Sequence, residues 1–320
     1  MPLKEAVQAL TERDTFVISS HVNLEGDAVG AQLAFFLLLQ KMGKKAYLLN
    51  GEPIPEQFRF LPYVERAGVS PGDIPHAEAS IVLDCPTLDR TGPIQGFLGT
   101  FPCIVNIDHH ISNQYFGSVN WVEGDRSSVG EMIYLLYQEI GIEVCREAAL
   151  CMYVSIATDT GNFSYSNTSA QTHIIAAELI KRGLQPELIH NKLRGQVGVE
   201  DIRALAEVLC TLSVTADGSV AYLYLSRKTL EETGTKMVNS EYYVDYARFI
   251  KGVKVGVFFR ENDDGIVKVS LRSKGDLDVN RIAQLFGGGG HAAASGCELR
   301  GTLREAIDTV VRTIQQHIGS

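Results

Sequence analysis

Short apolar runs, each of strand length, recur through the first half of the chain: "TFVISS", "KAYLLN", "ASIVLD" and "PCIVNID". The stretches between them read as helices or loops rather than two-residue turns. That alternation predicts a mostly parallel sheet with flanking helices. The first crossover, "AVGAQLAFFLLLQKMG", runs to Gly43, a C-terminal stop. Further helices are predicted in "SSVGEMIYLLYQEIG", with Ser127 or Ser128 as N-cap, and in "REAALCMYVSIATD" and "SAQTHIIAAELIKRG".

After Gly183 the pattern changes. "PELIHNKLRG" and "VEDIRALAEVL" are amphipathic and suit a helical linker. Beyond it, "TLSVTADGSVAYLYLS" and "VKVGVFFRENDDGIVKVSLRS" read as hairpins turning at Asp217-Gly218 and Asp264-Gly265. The expected fold class is therefore α/β, with a smaller α+β C-terminal domain of antiparallel strands. The expected boundaries are 1–185 for the first domain, 186–210 for the linker and 211–320 for the second domain.

Composition adds bounds. With 45% hydrophobic and 21% charged residues the chain is an ordinary globular protein. The opening "MPLKEAVQALTERD" lacks the apolar core of a secretory signal, and "AFFLLL" is far shorter than the roughly 20 residues of a membrane span. Both point to a cytoplasmic protein without membrane partners. Six cysteines with no C-x-x-C pair read as buried thiols rather than a zinc site or disulfides. A net charge of −9 argues against long duplex nucleic acid as a partner. Residues 246–281 run against that trend, with eight basic side chains to five acidic ones.

Candidate chemistry sits at the ends of the strand-like runs. His21, Glu25 and Asp27 follow "FVISS", Asp84 follows "SIVL", and Asp108, His109 and His110 follow "IVNI". In a parallel sheet these are carboxyl ends, where ligands gather. Asp159 in "SIATDTGNF" ends a helix, where an acid opposes the helix dipole unless a cation compensates it. Taken singly, Asp27 reads as a cap and Asp84 as a turn residue. Together, carboxylates and imidazoles without thiolate suit two divalent ions, Mn²⁺, Mg²⁺ or Fe²⁺, of the kind that drive phosphate-ester hydrolysis. No dinucleotide-binding or P-loop glycine motif occurs.

A second motif, "FGGGGHAAASG", would let backbone N–H groups of Gly288, Gly289 and Gly290 approach an anion, with His291 beside them. Arg272, at the end of a predicted strand, could pair with the same anion.

"HVNLEGDAVG", "VLDCP", "NIDHH", "ATDTGNF" and "GGGGHAAASG" follow one another as in the DHH phosphoesterase family, which the chain resembles over nearly its whole length; the last resembles the DHH-associated C-terminal domain. The resemblance implies that His21, Glu25 and Asp84 hold one metal. Asp27, Asp84, His109 and Asp159 hold the other, and Asp84 bridges. It implies that His110 faces the scissile phosphate, that Asp108 orients its neighbours, and that Arg272, Gly288, Gly289, Gly290 and His291 contact substrate. Leu24-Glu25 stands where the family pattern has Pro-Asp, one methylene shorter.

The implied activity is hydrolysis of short oligoribonucleotides and 3′-phosphoadenosine 5′-phosphate by hydroxide activated at two metal ions, with Mn²⁺ favoured. Alternatives are a pApA or cyclic di-AMP phosphodiesterase, a pyrophosphatase, which the glycine motif disfavours, and a nucleotide-binding regulator whose metal site has lapsed. The oligomeric state stays open, a homodimer among the options.

Overall fold

The computed structural model describes residues 2–74, 76–194, 198–235, 242–262, 265–275 and 277–318. The chain divides into two compact units, Met1–Gly195 and Gln196–Ser320.

In the first unit, β1 (Thr15–Ser19), β2 (Lys45–Leu48), β3 (Ala79–Leu83), β4 (Ile104–Asp108) and β5 (Val119–Val122) form a five-stranded parallel sheet in the order β2-β1-β3-β4-β5. The helices are α1 (Pro2–Thr11), α2 (Gly26–Lys41), α3 (Gln95–Leu98), α4 (Val129–Ile140), α5 (Arg146–Asp159), α6 (Ala170–Ile180) and α7 (Pro186–Arg194). The four strands read from the apolar runs are all present. The fifth, "VNWV", was not anticipated, because it is short and sits among polar and glycine residues. Its Trp121 is fully buried, and the indole N–H donates to Glu123 at 2.6 Å.

The chain leaves β1 for β2 on one side and then crosses to β3 on the other, so the strand order reverses between β1 and β3. The crevice at the carboxyl ends of that pair is where such sheets bind ligands. Ser20 fastens the two ends together by donating to the Leu83 carbonyl at 2.7 Å.

Helix α2 is buried along nearly its whole length between the sheet and α4 and α5. Glycine makes that closeness sterically allowed. A Cβ at Gly26 would overlap Thr158, one at Gly30 the Cys151 carbonyl, and one at Gly130 the Ser155 hydroxyl. Ser128 caps α4 by accepting the Glu131 N–H, and Gly141 ends it with φ of 78°.

The second unit begins with α8 (Val199–Cys210). The expected linker is thus two helices. Helix α7 places Ile189 and Leu193 in the first core, and α8 places Ala204 and Val208 in a core of the second unit. There follow β6 (Ser213–Val214), β7 (Val220–Leu225), α9 (Arg227–Thr233), α10 (Tyr243–Arg248), β8 (Val255–Glu261) and β9 (Ile266–Ser273). The chain continues with α11 (Val279–Gln284), β10 (Gly289–His291), β11 (Ala294–Arg300) and α12 (Leu303–Ile318).

The second sheet runs β10-β11-β9-β8-β7-β6. Both expected hairpins pair antiparallel, but β7 and β8 pair parallel. The sheet is therefore mixed, because α9 and α10 carry the chain back across before β8. Asp263, Asp264 and Asp276 lie outside the described residues. Among the described residues no helix is long and apolar enough to cross a membrane. Of the six cysteines, four are buried, Cys145 is half-buried and Cys210 is exposed.

Candidate metal centre

Four backbone segments deliver the polar cluster of the first unit. The loop after β1 is pinned by Val22 N–H to the Arg90 carbonyl at 2.7 Å and by Leu24 N–H to Glu52 at 2.7 Å. It presents His21, which is 4% exposed. The His21 Nδ1–H donates to the Val22 carbonyl at 2.7 Å, since a carbonyl can only accept. That fixes the tautomer and turns Nε2 toward Asp84 Oδ2 at 3.4 Å and Glu25 Oε1 at 3.9 Å. Glu25 is the N-cap residue of α2, yet its side chain makes no cap bond and is half exposed.

Asp84 follows β3 with φ of 52°, a left-handed conformation that Asp tolerates better than most residues. It is 1% exposed, and neither carboxylate oxygen has a hydrogen-bond partner. His109 Nε2 approaches it at 3.6 Å and His110 Nδ1 at 3.5 Å.

His109 repeats the arrangement of His21. Its Nδ1–H donates to the Arg126 carbonyl at 3.0 Å, and Nε2 points at Asp27 (3.5 Å), Asp84 (3.6 Å) and Asp159 (3.6 Å). Asp108 works differently. One oxygen accepts the His109 N–H at 2.8 Å and His110 Nδ1–H at 2.7 Å, and the other accepts from Asn113 at 2.6 Å. It is saturated by its neighbours.

Asp27 does act as a cap, though for another helix. It accepts the N–H groups of Val129 (2.8 Å) and Gly130 (3.2 Å) at the start of α4, and the Ser155 hydroxyl at 2.5 Å.

Charge explains the protonation. Burial alone would lower the His21 pKa, but the Asp84 carboxylate 3.4 Å from Nε2, helped by Glu25, brings it up to about 9. Burial is likewise outweighed at His109, where Asp159, Asp27, Asp84 and Asp108 raise it to about 10. Burial pushes Asp27 and Asp159 up, and neighbouring carboxylates add to it. For Asp84, burial is overcome by the close imidazole of His21 and by those of His110 and His109, which hold it well below the usual range.

The residues fit a divalent ion. A buried carboxylate with both oxygens unbonded is costly unless a cation answers it, and the neighbouring donors are oxygen and imidazole nitrogen only. His21, Glu25 and Asp84 bring ligand atoms within 4.8 Å of one another, and so do Asp84, His109 and His110.

A sign follows for pH. Metal uptake near neutral pH must displace the imidazole protons, so calorimetry in buffers of different ionisation enthalpy is expected to show net proton release. In the presence of chelator, the two raised imidazoles favour the fold fully below their unfolded value of 6.5. That contribution disappears as pH rises through about 9 to 10. Melting temperature should therefore fall between about pH 8 and pH 10 in chelator, and less with Mn²⁺. A chelated protein that melts no lower at the alkaline end contradicts this charge balance.

In the second unit Arg272 lies opposite Ala294 on β11, which lies opposite His291 on β10. One row of the sheet thus puts Arg272 and His291 on the same face. Arg272 Nε is buried without a hydrogen-bond partner, while Nη1 donates to the Leu271 carbonyl at 3.0 Å. Three of the four glycines have structural employment. Gly287, with φ of 73°, ends α11, and Gly288 N–H returns to the Ala283 carbonyl at 2.9 Å. A Cβ at Gly288 would strike Cys297, and one at Gly290 the Ala294 carbonyl. Gly289 alone combines room for a side chain with a backbone that does not need glycine.

Sequence reading missed the residues that hold the cluster: Asn113, Ser155, Asn167 and the Arg126 carbonyl. Glu131 was hidden for a definite reason. Ser128 and Glu131 have the spacing of a capping box, but the glutamate turns away to Ser127 and Thr172.

Comparison with known proteins gives the family and the fold. Residues 15–156 match the DHH family N-terminal domain, and residues 217–320 match the DHHA1 domain. A bifunctional oligoribonuclease and PAP phosphatase, NrnA, of Thermus thermophilus is 31% identical over 94% of this chain and 89% of its own. The chain belongs to the DHH family. An NrnA of Bacillus subtilis is 29% identical over 92% of both chains. The crystal structure of an exopolyphosphatase-related protein from Bacteroides fragilis superposes with a TM-score of 0.90, at 26% identity, over 99% of this chain and 95% of that one. DHH phosphoesterases use divalent metals, and a DHH chain with this cluster is a hydrolase of phosphate esters.

Proposed function

We propose that this DHH chain hydrolyses short oligoribonucleotides and 3′-phosphoadenosine 5′-phosphate, with two divalent ions, Mn²⁺ favoured, in the first unit and substrate contacts in residues 211–320. The observation that carries the reading is Asp84, buried with both oxygens unbonded between three imidazoles. The names of the 31% and 29% identical relatives support the substrate class.

His21, Glu25 and Asp84 would hold one ion, and Asp27, Asp84, His109 and Asp159 the other. Bound there, the ions supply charge for the phosphoryl oxygens and acidify a water. The chain does the rest. The Val22 and Arg126 carbonyls keep Nε2 of His21 and His109 aimed inward, and Asp108 keeps His110 turned so that Nε2 meets a substrate oxygen. Arg272 and His291, on one sheet face, bind the phosphate that does not react. The longer arm of Glu25 reaches the cluster from the N-cap of α2, which supports its place as a ligand despite the methylene it adds.

The test is a Mn²⁺-supported hydrolysis panel: 3′-phosphoadenosine 5′-phosphate, pApA, RNA from dinucleotide to about decamer, cyclic di-AMP, pyrophosphate and long RNA. The first and the short RNA are expected to be turned over fastest, and chelator to stop both. Arg272→Ala should raise KM on short substrates about tenfold or more without changing bound Mn²⁺. Preference for cyclic di-AMP or pyrophosphate would reassign the substrate. Absence of any turnover, with fewer than two ions bound, would make the chain a nucleotide-binding regulator whose metal site has lapsed.

A further inference from the structure

The segment from Arg126 to Gly130, leading into α4, bonds His109 and Asp27 directly and Asp159 through Asn167, the three proposed ligands that belong to the second ion alone. The Arg126 carbonyl accepts from His109 at 3.0 Å. The Val129 and Gly130 N–H groups hold Asp27 at 2.8 and 3.2 Å. Asn167 donates both to the Ser127 carbonyl at 3.0 Å and to the Asp159 carbonyl at 3.1 Å. His21 is set by the Val22 carbonyl in the loop after β1, and Glu25 stands in the same loop as the N-cap residue of α2.

What fixes the segment is Glu131. It is 2% exposed, and its carboxylate accepts from the hydroxyls of Ser127 (2.6 Å) and Thr172 (3.1 Å) and from Arg126 Nη1 (3.3 Å). Arg126 is held in turn by Glu123 at 2.6 Å. A carboxylate is costly to bury for helix capping, which Ser128 already performs. Here it ties the first turn of α4 to α6 and to the turn that carries the Arg126 carbonyl.

We propose that Glu131 is a positioning residue that aims His109, Asp27 and Asp159 together, so that the affinity of one metal site is set apart from that of the other. This rests on the two-ion reading above. The consequence is selectivity. Loss of Glu131 should weaken one ion and spare its neighbour, because the anchors of His21 and Glu25 lie elsewhere.

The experiment is Mn²⁺ titration, followed by the paramagnetic resonance of free ion, of the full chain in wild type, Glu131→Gln and Thr172→Val. It is joined to nitrogen-15 spectra of the His109 ring in metal-free protein. Wild type should bind two ions and show a slowly exchanging Nδ1–H held by the Arg126 carbonyl. In Glu131→Gln one site should weaken about 10- to 100-fold, the other should hold, and the Nδ1–H should exchange faster. Thr172→Val removes one hydrogen bond, so it should weaken the same site by a smaller factor. It also decides the matter if Glu131→Gln fails to fold. Equal weakening of both sites, or two unaltered sites, overturns the proposal. A wild type that binds a single ion instead refutes the two-ion reading itself.

Discussion

Asp84→Asn is expected to lower kcat/KM by on the order of a thousand-fold, about 4 kcal/mol of transition-state stabilisation, and to take bound Mn²⁺ below two per chain. The size follows from position. Asp84 lies within 3.6 Å of nitrogens of His21, His109 and His110, and no other described carboxylate approaches all three. A charge shared by two ions is lost twice when it is neutralised. Asparagine is the right replacement, because it keeps the shape and tolerates φ of 52°, where alanine would add backbone strain. The Asp84 N–H still reaches the Ile107 carbonyl at 3.0 Å, so the strand end stays closed. An Asp84→Asn protein that melts cooperatively and turns over within about tenfold of wild type would falsify the bridging role.

Much of this was legible in the sequence, for physical reasons. A parallel sheet puts every strand's carboxyl end on one edge, so acids and imidazoles placed just after apolar runs had to converge. The resemblance carried by five short motifs adds the division of ligands between ions that is proposed above. The supporting residues were not legible. Asn113, Asn167 and Ser155 act through side chains whose partners lie 5, 8 and 128 positions away, and polar residues in loops and helices carry no periodic signal. The glycine run has two readings: four in a row suggest a ligand loop, and a helix stop and close packing on β11 also account for three of them. Strand β5 was hidden by its brevity, and the parallel β7–β8 pair because hairpin turns at both ends of that region invited an all-antiparallel reading.

His110→Asn is expected to lower kcat by about a hundred- to ten-thousand-fold while leaving Mn²⁺ stoichiometry and affinity within a few-fold of wild type. His110 differs from the other two imidazoles in what its Nδ1 meets. For His21 and His109 that nitrogen donates to a backbone carbonyl, and Nε2 faces the carboxylates. For His110, Nδ1 lies 2.7 Å from Asp108 and 3.5 Å from Asp84. The nitrogen nearest the cluster is therefore the one already engaged by Asp108, which supports the proposal that Nε2 meets substrate rather than metal. The rival assignment makes His110 a ligand beside Asp84 and His109, whose ligand atoms lie within 4.8 Å of its own. Asparagine separates the two, since its amide N–H₂ can still donate to Asp108 while the position of Nε2 is left empty. Asp108→Asn is the companion variant: it keeps the hydrogen-bond framework but not the charge, and should cost less in kcat than His110→Asn. If His110→Asn instead loses an ion, with turnover recovering as Mn²⁺ is raised, the imidazole is a ligand and the phosphate must be met by another group.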